Sequence, residues 1–369
     1  MRQINVSGYW RTNLGDDLFL EVLCKRYPKV QFRTEIDKEN SKVFEEIDNL
    51  TIEETKSEKG ATITRFIQML LEKMSGKKRI SIEIGGSIFM FKKKENVYKS
   101  LSYIKRRITA FCSDSLYFLG CNFGPYDLPE QVQAYKEYFK KVDDICFRDY
   151  QSYKLFEELP NVRYAPDIVL SLNTSHLIQR EVLASGAPYV VFSTINLEDK
   201  KDPGISDIYS MMERYEEFLL QNIKSQIKSG KHVVLFSFCD YQKDDKVNQR
   251  LFDKLTVQEQ NKVVLYSHKN INDSLVVIKG AEKLIASRFH GMILGWVFSI
   301  PTYVISYSKK TTDVIHSFVE NQIYISLSDI KPSSIVQDDE FYKIDSETLK
   351  NLSSQSEQHF QALDKKFGT

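Results

Sequence analysis

The chain repeats one local pattern: a short apolar run, a glycine or polar turn, then a stretch with helical spacing. "QINVSG" (Gln3 to Gly8) leads through Asn13-Leu14-Gly15-Asp16-Asp17 into an apolar-periodic stretch from Leu18 to Tyr27, and Asp16 or Asp17 suits its N-cap. "RISIEIGGSIF" (Arg79–Phe89), "LYFLGCNFGPY" (Leu116–Tyr126) and "DICFRD" (Asp144–Asp149) repeat the strand-and-turn form. Helical spacing appears at Thr62–Met74, Tyr98–Phe111, Pro129–Lys141 and Gln151–Leu159. A further short strand is expected at Val30–Phe32, while the highly charged stretch Lys38–Gly60 fits neither element. Parallel strands cannot be joined by tight turns and need crossovers, usually helical, so this alternation predicts an α/β fold built on a parallel sheet.

A second series starts at Pro188. "PYVVFSTIN", "KHVVLFSFCD", "KVVLYSH", "KLIAS" and "TYVISY" read as strands, and Ser206–Ser229, Ile271–Lys279 and Met292–Phe298 as helices. At 369 residues the chain exceeds what one core usually organises. The expectation is therefore α/β, with two Rossmann-like domains facing across a cleft: 1–178, 179–340, and a helical tail 341–369 packing back on the first domain.

Composition narrows the function. Fifty-one Lys+Arg against fifty Asp+Glu leave a formal charge of +1, which argues against a nucleic-acid binder reliant on net basicity. Five scattered cysteines without a CxxC pair read as reduced core thiols, and the histidines show no metal-ligand spacing, so no metal is expected. "MRQINVSGYW" has no apolar signal region and no run is long enough to span a bilayer, which points to a cytoplasmic chain. The basic runs Lys92-Lys93-Lys94 and Lys105-Arg106-Arg107, interleaved with Tyr98, Leu101 and Ile104, fit either a solvated helix face or peripheral contact with an anionic membrane.

Ligands of open parallel sheets bind beyond the C-terminal strand ends. In the first series that rule selects Asn13, Gly15 and Asp16, the turn Gly85-Gly86, and Arg148. In the second it selects Ser287-Arg288-Phe289-His290-Gly291 and Lys309. Arg288 and His290 at a helix start could hold an anion and move a proton beside it, with Gly291 admitting a ligand to the backbone. Equally, Arg288 could pair with a carboxylate and His290 could simply open the helix. Local spacing leaves both readings open.

The order of Gly8, Asn13-Leu14-Gly15-Asp16, Ile84-Gly85-Gly86, Phe147-Arg148-Asp149, Ala165-Pro166-Asp167 and Ser287-Arg288-Phe289-His290-Gly291 resembles the polysaccharide pyruvyl transferase family. Ile300-Pro301 and Tyr307 with Lys309 extend the likeness. The resemblance implies a GT-B-like fold and transfer of pyruvate from phosphoenolpyruvate, as co-substrate without a further cofactor, to a sugar of a surface polysaccharide. It implies Arg288 as the donor clamp, His290 as general acid and Lys309 as a helper at the phosphate. Asn13 and Asp16 would serve the acceptor, Asp16 also as a base. A lipid-linked oligosaccharide is one form that acceptor could take, at the inner face of the cell membrane.

Two departures stand out. Ser87 follows Gly85-Gly86 where family members often have a third glycine, and Phe192-Ser193-Thr194-Ile195-Asn196 lacks the arginine many carry there. They keep open a nucleotide-sugar glycosyltransferase and a non-catalytic subunit of polysaccharide assembly.

Overall fold

The computed structural model describes residues 3–55, 58–177, 186–198 and 208–368 of the chain. The domain boundary expected at 178/179 and the helix start expected at Ser206 lie outside them. The chain divides into two compact units, one of Met1–Trp10, Asp16–Ser171 and Ser353–Thr369, the other of Arg11–Gly15 and Leu172–Leu352.

The first unit carries seven strands: β1 (Gln3–Ser7), β2 (Phe32–Ile36), β3 (Leu50–Glu54), β4 (Arg79–Ile84), β5 (Ser115–Cys121), β6 (Asp144–Phe147) and β7 (Val162–Tyr164). They form one parallel sheet in the order β3-β2-β1-β4-β5-β6-β7. The second unit repeats the plan with β8 (Tyr189–Ser193), β9 (His232–Ser237), β10 (Val263–Ser267), β11 (Lys283–Ala286), β12 (Thr302–Ser306) and β13 (Tyr324–Ser326), ordered β10-β9-β8-β11-β12-β13. Both are Rossmann orders, with the chain reversing its direction of travel beside β1 and beside β8. Strands covered on both faces are largely apolar, as in β5 (SLYFLGC) and β12 (TYVIS), where every residue is buried.

The departures from the expected elements have local causes. Strand β3 (LTIEE) was hidden in the charged stretch because it pairs only with β2 and has no buried residue. The first helix begins at Leu14, so Asp16 and Asp17 occupy its first turn, where carboxylates favour the helix dipole, and neither caps it. The helix expected at Gln151–Leu159 is only Tyr150–Lys154, capped by Asp149 through the Ser152 N–H. The second-series helix starts at Phe289, with Arg288 as N-cap residue.

An aromatic cluster around Phe89, Phe118, Tyr135, Phe139 and Phe156 fills one side of the first sheet. The C-terminal segment is bound into this unit by Asp364, which accepts from Arg26 Nε (3.1 Å), Arg26 Nη2 (2.9 Å) and the Tyr27 hydroxyl (2.7 Å). All five cysteines are buried thiols, and burial pushes Cys146 up to about 12.

Two buried histidines link this packing to pH. His359 Nε2 donates to the Pro166 carbonyl at 2.7 Å, and burial pushes its pKa down to about 4. His268 Nδ1 lies 2.8 Å from Ser274 Oγ, and burial pushes it down to about 3. Since both folded values lie below the unfolded value, the unfolded chain takes up protons first as pH falls. The stabilisation is complete above about pH 6.5 and is lost on acidification towards those values. Each histidine should cost about 2 kcal/mol between pH 6.5 and 5. Urea unfolding across that range should show the loss, and His359→Gln should make the curve shallower. A stability independent of pH there would refute this.

Candidate active site

In the second unit the strand order reverses between the paired strands β8 and β11, so the segments after them sit at the switch point where open sheets bind ligands. After β8 come Thr194, Ile195 and Asn196; after β11 come Ser287 and Arg288, then the helix Phe289–Val297. This helix contributes backbone N–H groups at its start.

Arg288 is buried and held on both edges of its guanidinium. Nε donates to Asp244 Oδ2 at 2.9 Å, Nη2 to Asp244 Oδ1, and Nη1 to Gln242 Oε1 at 2.7 Å. Asp244, fully buried, opens the helix Asp244–Asp253 and also accepts from the backbone N–H groups of Asn196 (3.1 Å) and Cys239 (3.2 Å). One carboxylate thus joins the segments after β8, β9 and β11. Burial makes its charge costly and Arg288 offsets that cost; in turn Asp244, with Tyr307 and Cys239 adding to the field, holds Arg288 charged against its own burial.

A second brace runs parallel to the first. The Tyr215 hydroxyl accepts from Ile195 N–H at 3.1 Å and donates to Ser287 Oγ at 2.8 Å. Ser287 is therefore engaged with the protein. Gly291 lies against β8: a Cβ there would stand 2.7 Å from Ser193 Oγ, so this glycine brings the helix onto the sheet. Asn196 Nδ2 is buried with no hydrogen-bond partner, in the segment after β8.

His290 is half-buried, its ring edge-on to Phe289 at 5.2 Å. Gly15, which belongs to this unit, faces it so closely that a Cβ would fall 1.9 Å from His290 Nδ1. Asn13 Oδ1 accepts the Gly15 N–H at 3.3 Å, shaping that turn, and Leu14 N–H donates to the Phe238 carbonyl at 3.1 Å. Lys309 is exposed at the start of helix Lys309–Phe318, and the Lys310 ammonium sits 4.7 Å over the Phe289 ring. Asn13, Gly15, Ser287, Arg288, His290 and Gly291 thus all lie in one unit, with Lys309.

The remaining expected site residues lie in the first unit. Asp16 is half-buried in the first turn of helix Leu14–Arg26. Gly85 (φ +145°) takes a backbone conformation that L side chains rarely adopt. Gly86 makes room for Arg148, whose Nη2 would be 1.7 Å from a Cβ there. Arg148 is itself buried, donating from Nη1 to Asp167 Oδ2 at 2.7 Å and from Nη2 to Asn122 Oδ1 at 3.3 Å, with Phe19 beneath it at 5.6 Å. Among the described residues no group of three or more His, Cys, Asp or Glu could hold a metal ion.

Sequence reasoning missed Asp244, Gln242 and Tyr215. The helix Asp244–Asp253 was not among the expected elements, and no local signal ties Asp244 to an arginine 44 residues later.

The family model for polysaccharide pyruvyl transferase matches residues 13–309. A search of curated proteins finds no match. Solved structures with the same fold include UDP-GlcNAc 2-epimerase from Methanocaldococcus jannaschii, with 10% identity, TM-score 0.57, and coverage of 98% of this chain and 99% of that one. UDP-N-acetylglucosamine 2-epimerase from Rickettsia bellii has 10% identity, TM-score 0.58 and coverage of 98% and 96%. Anabaena HepE, solved with UDP and glucose, has 9% identity, TM-score 0.53 and coverage of 98% and 96%. The fold is GT-B-like, with two parallel sheets and interleaved helices.

Two substitutions test the geometry. Asp244→Ala strands Arg288 as an unpaired buried charge and should cost about 3–5 kcal/mol in urea unfolding. Gly15→Ala must displace the His290 ring, so turnover should fall on the order of 10²-fold while the fold is kept. Unchanged turnover in Gly15→Ala would show that the ring position is irrelevant to the chemistry.

Proposed function

We propose that this chain, which belongs to the polysaccharide pyruvyl transferase family, moves pyruvate from phosphoenolpyruvate onto two hydroxyls of one sugar in a surface polysaccharide. The observation that carries the reading is the placement of Arg288 and His290 at the β8/β11 switch point, beside the start of helix Phe289–Val297. Each Nη of Arg288 keeps a second N–H beyond those given to Asp244 and Gln242, and these would meet the donor's carboxylate or phosphate. Lys309, exposed at the next strand end, would add a cation at the phosphate.

In the reaction, His290 delivers a proton to C3 of phosphoenolpyruvate, and the C2 cation that forms is captured by one sugar hydroxyl. That hydroxyl's proton passes to a base, for which Asp16, next in the chain to Gly15, is the candidate. The second hydroxyl then forms its bond to C2 as the C2–O bond to phosphate breaks. Net, one hydroxyl proton ends in the new methyl group and the other leaves with phosphate. Phosphoenolpyruvate is the only co-substrate this scheme uses, and Asn13 is assigned to the acceptor.

A second reading is favoured by Asn196. Its side-chain oxygen accepts from the Glu198 N–H at 3.4 Å while its buried Nδ2 has no hydrogen-bond partner, in the segment where a cation would serve a doubly anionic donor, and such an amide donor suits a nucleotide sugar as well. Calorimetric titration with phosphoenolpyruvate and with a panel of nucleotide sugars separates the two. Pyruvyl transfer predicts phosphoenolpyruvate binding, phosphate release that depends on acceptor, and a loss of about 10²–10⁴-fold in turnover for His290→Ala with donor binding kept. Binding of a nucleotide sugar alone would move the chain to the glycosyltransferase reading.

A further inference from the structure

Amphipathic helices on a soluble domain ordinarily turn their apolar stripe inward. In the first unit two helices also carry apolar residues outward. On Glu58–Met74, Ile67, Leu70, Leu71 and Met74 recur at the i, i+3, i+4, i+7 spacing of a single stripe, and all four are exposed, Met74 at 83%. On Leu101–Cys112, Leu101 (74%), Ile104 and Phe111 (65%) form a second exposed stripe. A groove of about 700 Å³ lies along both helices, lined by Leu70, Tyr98, Ile104, Ile108, Phe111 and Tyr138 among others. Contiguous apolar surface of this kind marks a contact site.

The charges around it are mainly positive. Lys73 stacks its ammonium 5.2 Å over Phe111, Arg107 and Lys141 line the groove, and Lys105 is exposed on the same helix as Arg107. Glu137, the acid in the groove, is paired with Lys140 at 2.7 Å. The middle residue of the basic run behaves differently: Arg106 turns inward, donating to Glu83 (2.6 Å) and the Ile88 carbonyl (2.8 Å) over the Phe89 ring. The outward cations therefore accompany the outward apolar residues, and the inward one is neutralised in the fold.

We propose that this face docks on an anionic lipid surface, Leu71, Met74, Leu101 and Phe111 entering the acyl boundary while Lys73, Lys105, Arg107 and Lys141 meet the headgroups. Charge complementarity selects this occupant: a second copy of the chain would bring like-charged rims together. No described helix is long and apolar enough to cross a membrane, so the contact would be interfacial. The proposal does not depend on which reaction the chain performs.

Vesicle flotation tests it with the full chain. The protein should float with vesicles containing phosphatidylglycerol and stay behind with phosphatidylcholine alone, and added salt should weaken the association. Leu71→Glu with Phe111→Glu should abolish flotation, and Lys105→Glu with Arg107→Glu should reduce it by about tenfold or more, with urea unfolding and turnover on a soluble acceptor unchanged. Failure of the wild type to float, equal binding to neutral vesicles, or flotation unaffected by these changes would overturn the proposal. So would a wild-type dimer that the apolar pair converts to monomer without any lipid binding.

Discussion

The buried pair of Arg288 and Asp244 is the interaction on which the second unit's candidate site depends. Its carboxylate takes four hydrogen bonds, two from the guanidinium and two from backbone N–H groups of Asn196 and Cys239. Such a pair contributes little net stability, because both ions lose their hydration, but breaking it leaves a charge with no solvent to stabilise it. Its consequence is geometric. Three strand ends are held in one arrangement, and the cation is held in a fixed orientation.

The first unit uses the same device in a different place. Arg148 and Asp167 form a buried pair beneath Gly86, where the absence of a side chain gives the guanidinium its room. Gly15 does for His290 what Gly86 does for Arg148. In both cases a glycine that reads as a ligand-admitting turn admits a protein side chain, so the glycine and its polar partner act as one unit. Gly291 is similar, trading its side chain for contact with Ser193.

Charge and apolar surface are partitioned along the helix Leu101–Cys112 by the same logic. Arg106 enters the fold because Glu83 and the Ile88 carbonyl satisfy it there, and its neighbours Lys105 and Arg107 stay out because nothing inside would. The exposed stripe beside them has no such compensation inside the first unit, which separates it from ordinary surface leucines and phenylalanines.

The sequence by itself determined the class of fold and the strand ends at which a candidate site could lie, because both follow from local physics. Alternating apolar runs and helical spacing specify parallel α/β units, and strand ends such as Gly85-Gly86 and Ser287–Gly291 specify where chemistry could sit. Where local signal was weak the reading failed: β3 offered no buried residue, and the first helix extended past the aspartates that looked like its cap. Only the tertiary structure decided the partners. Asp244 reaches Arg288 across 44 residues, and Asp167 reaches Arg148 across 19. Those distances close only once the strand order is set, and strand order is a property of the whole sheet that no window of sequence contains.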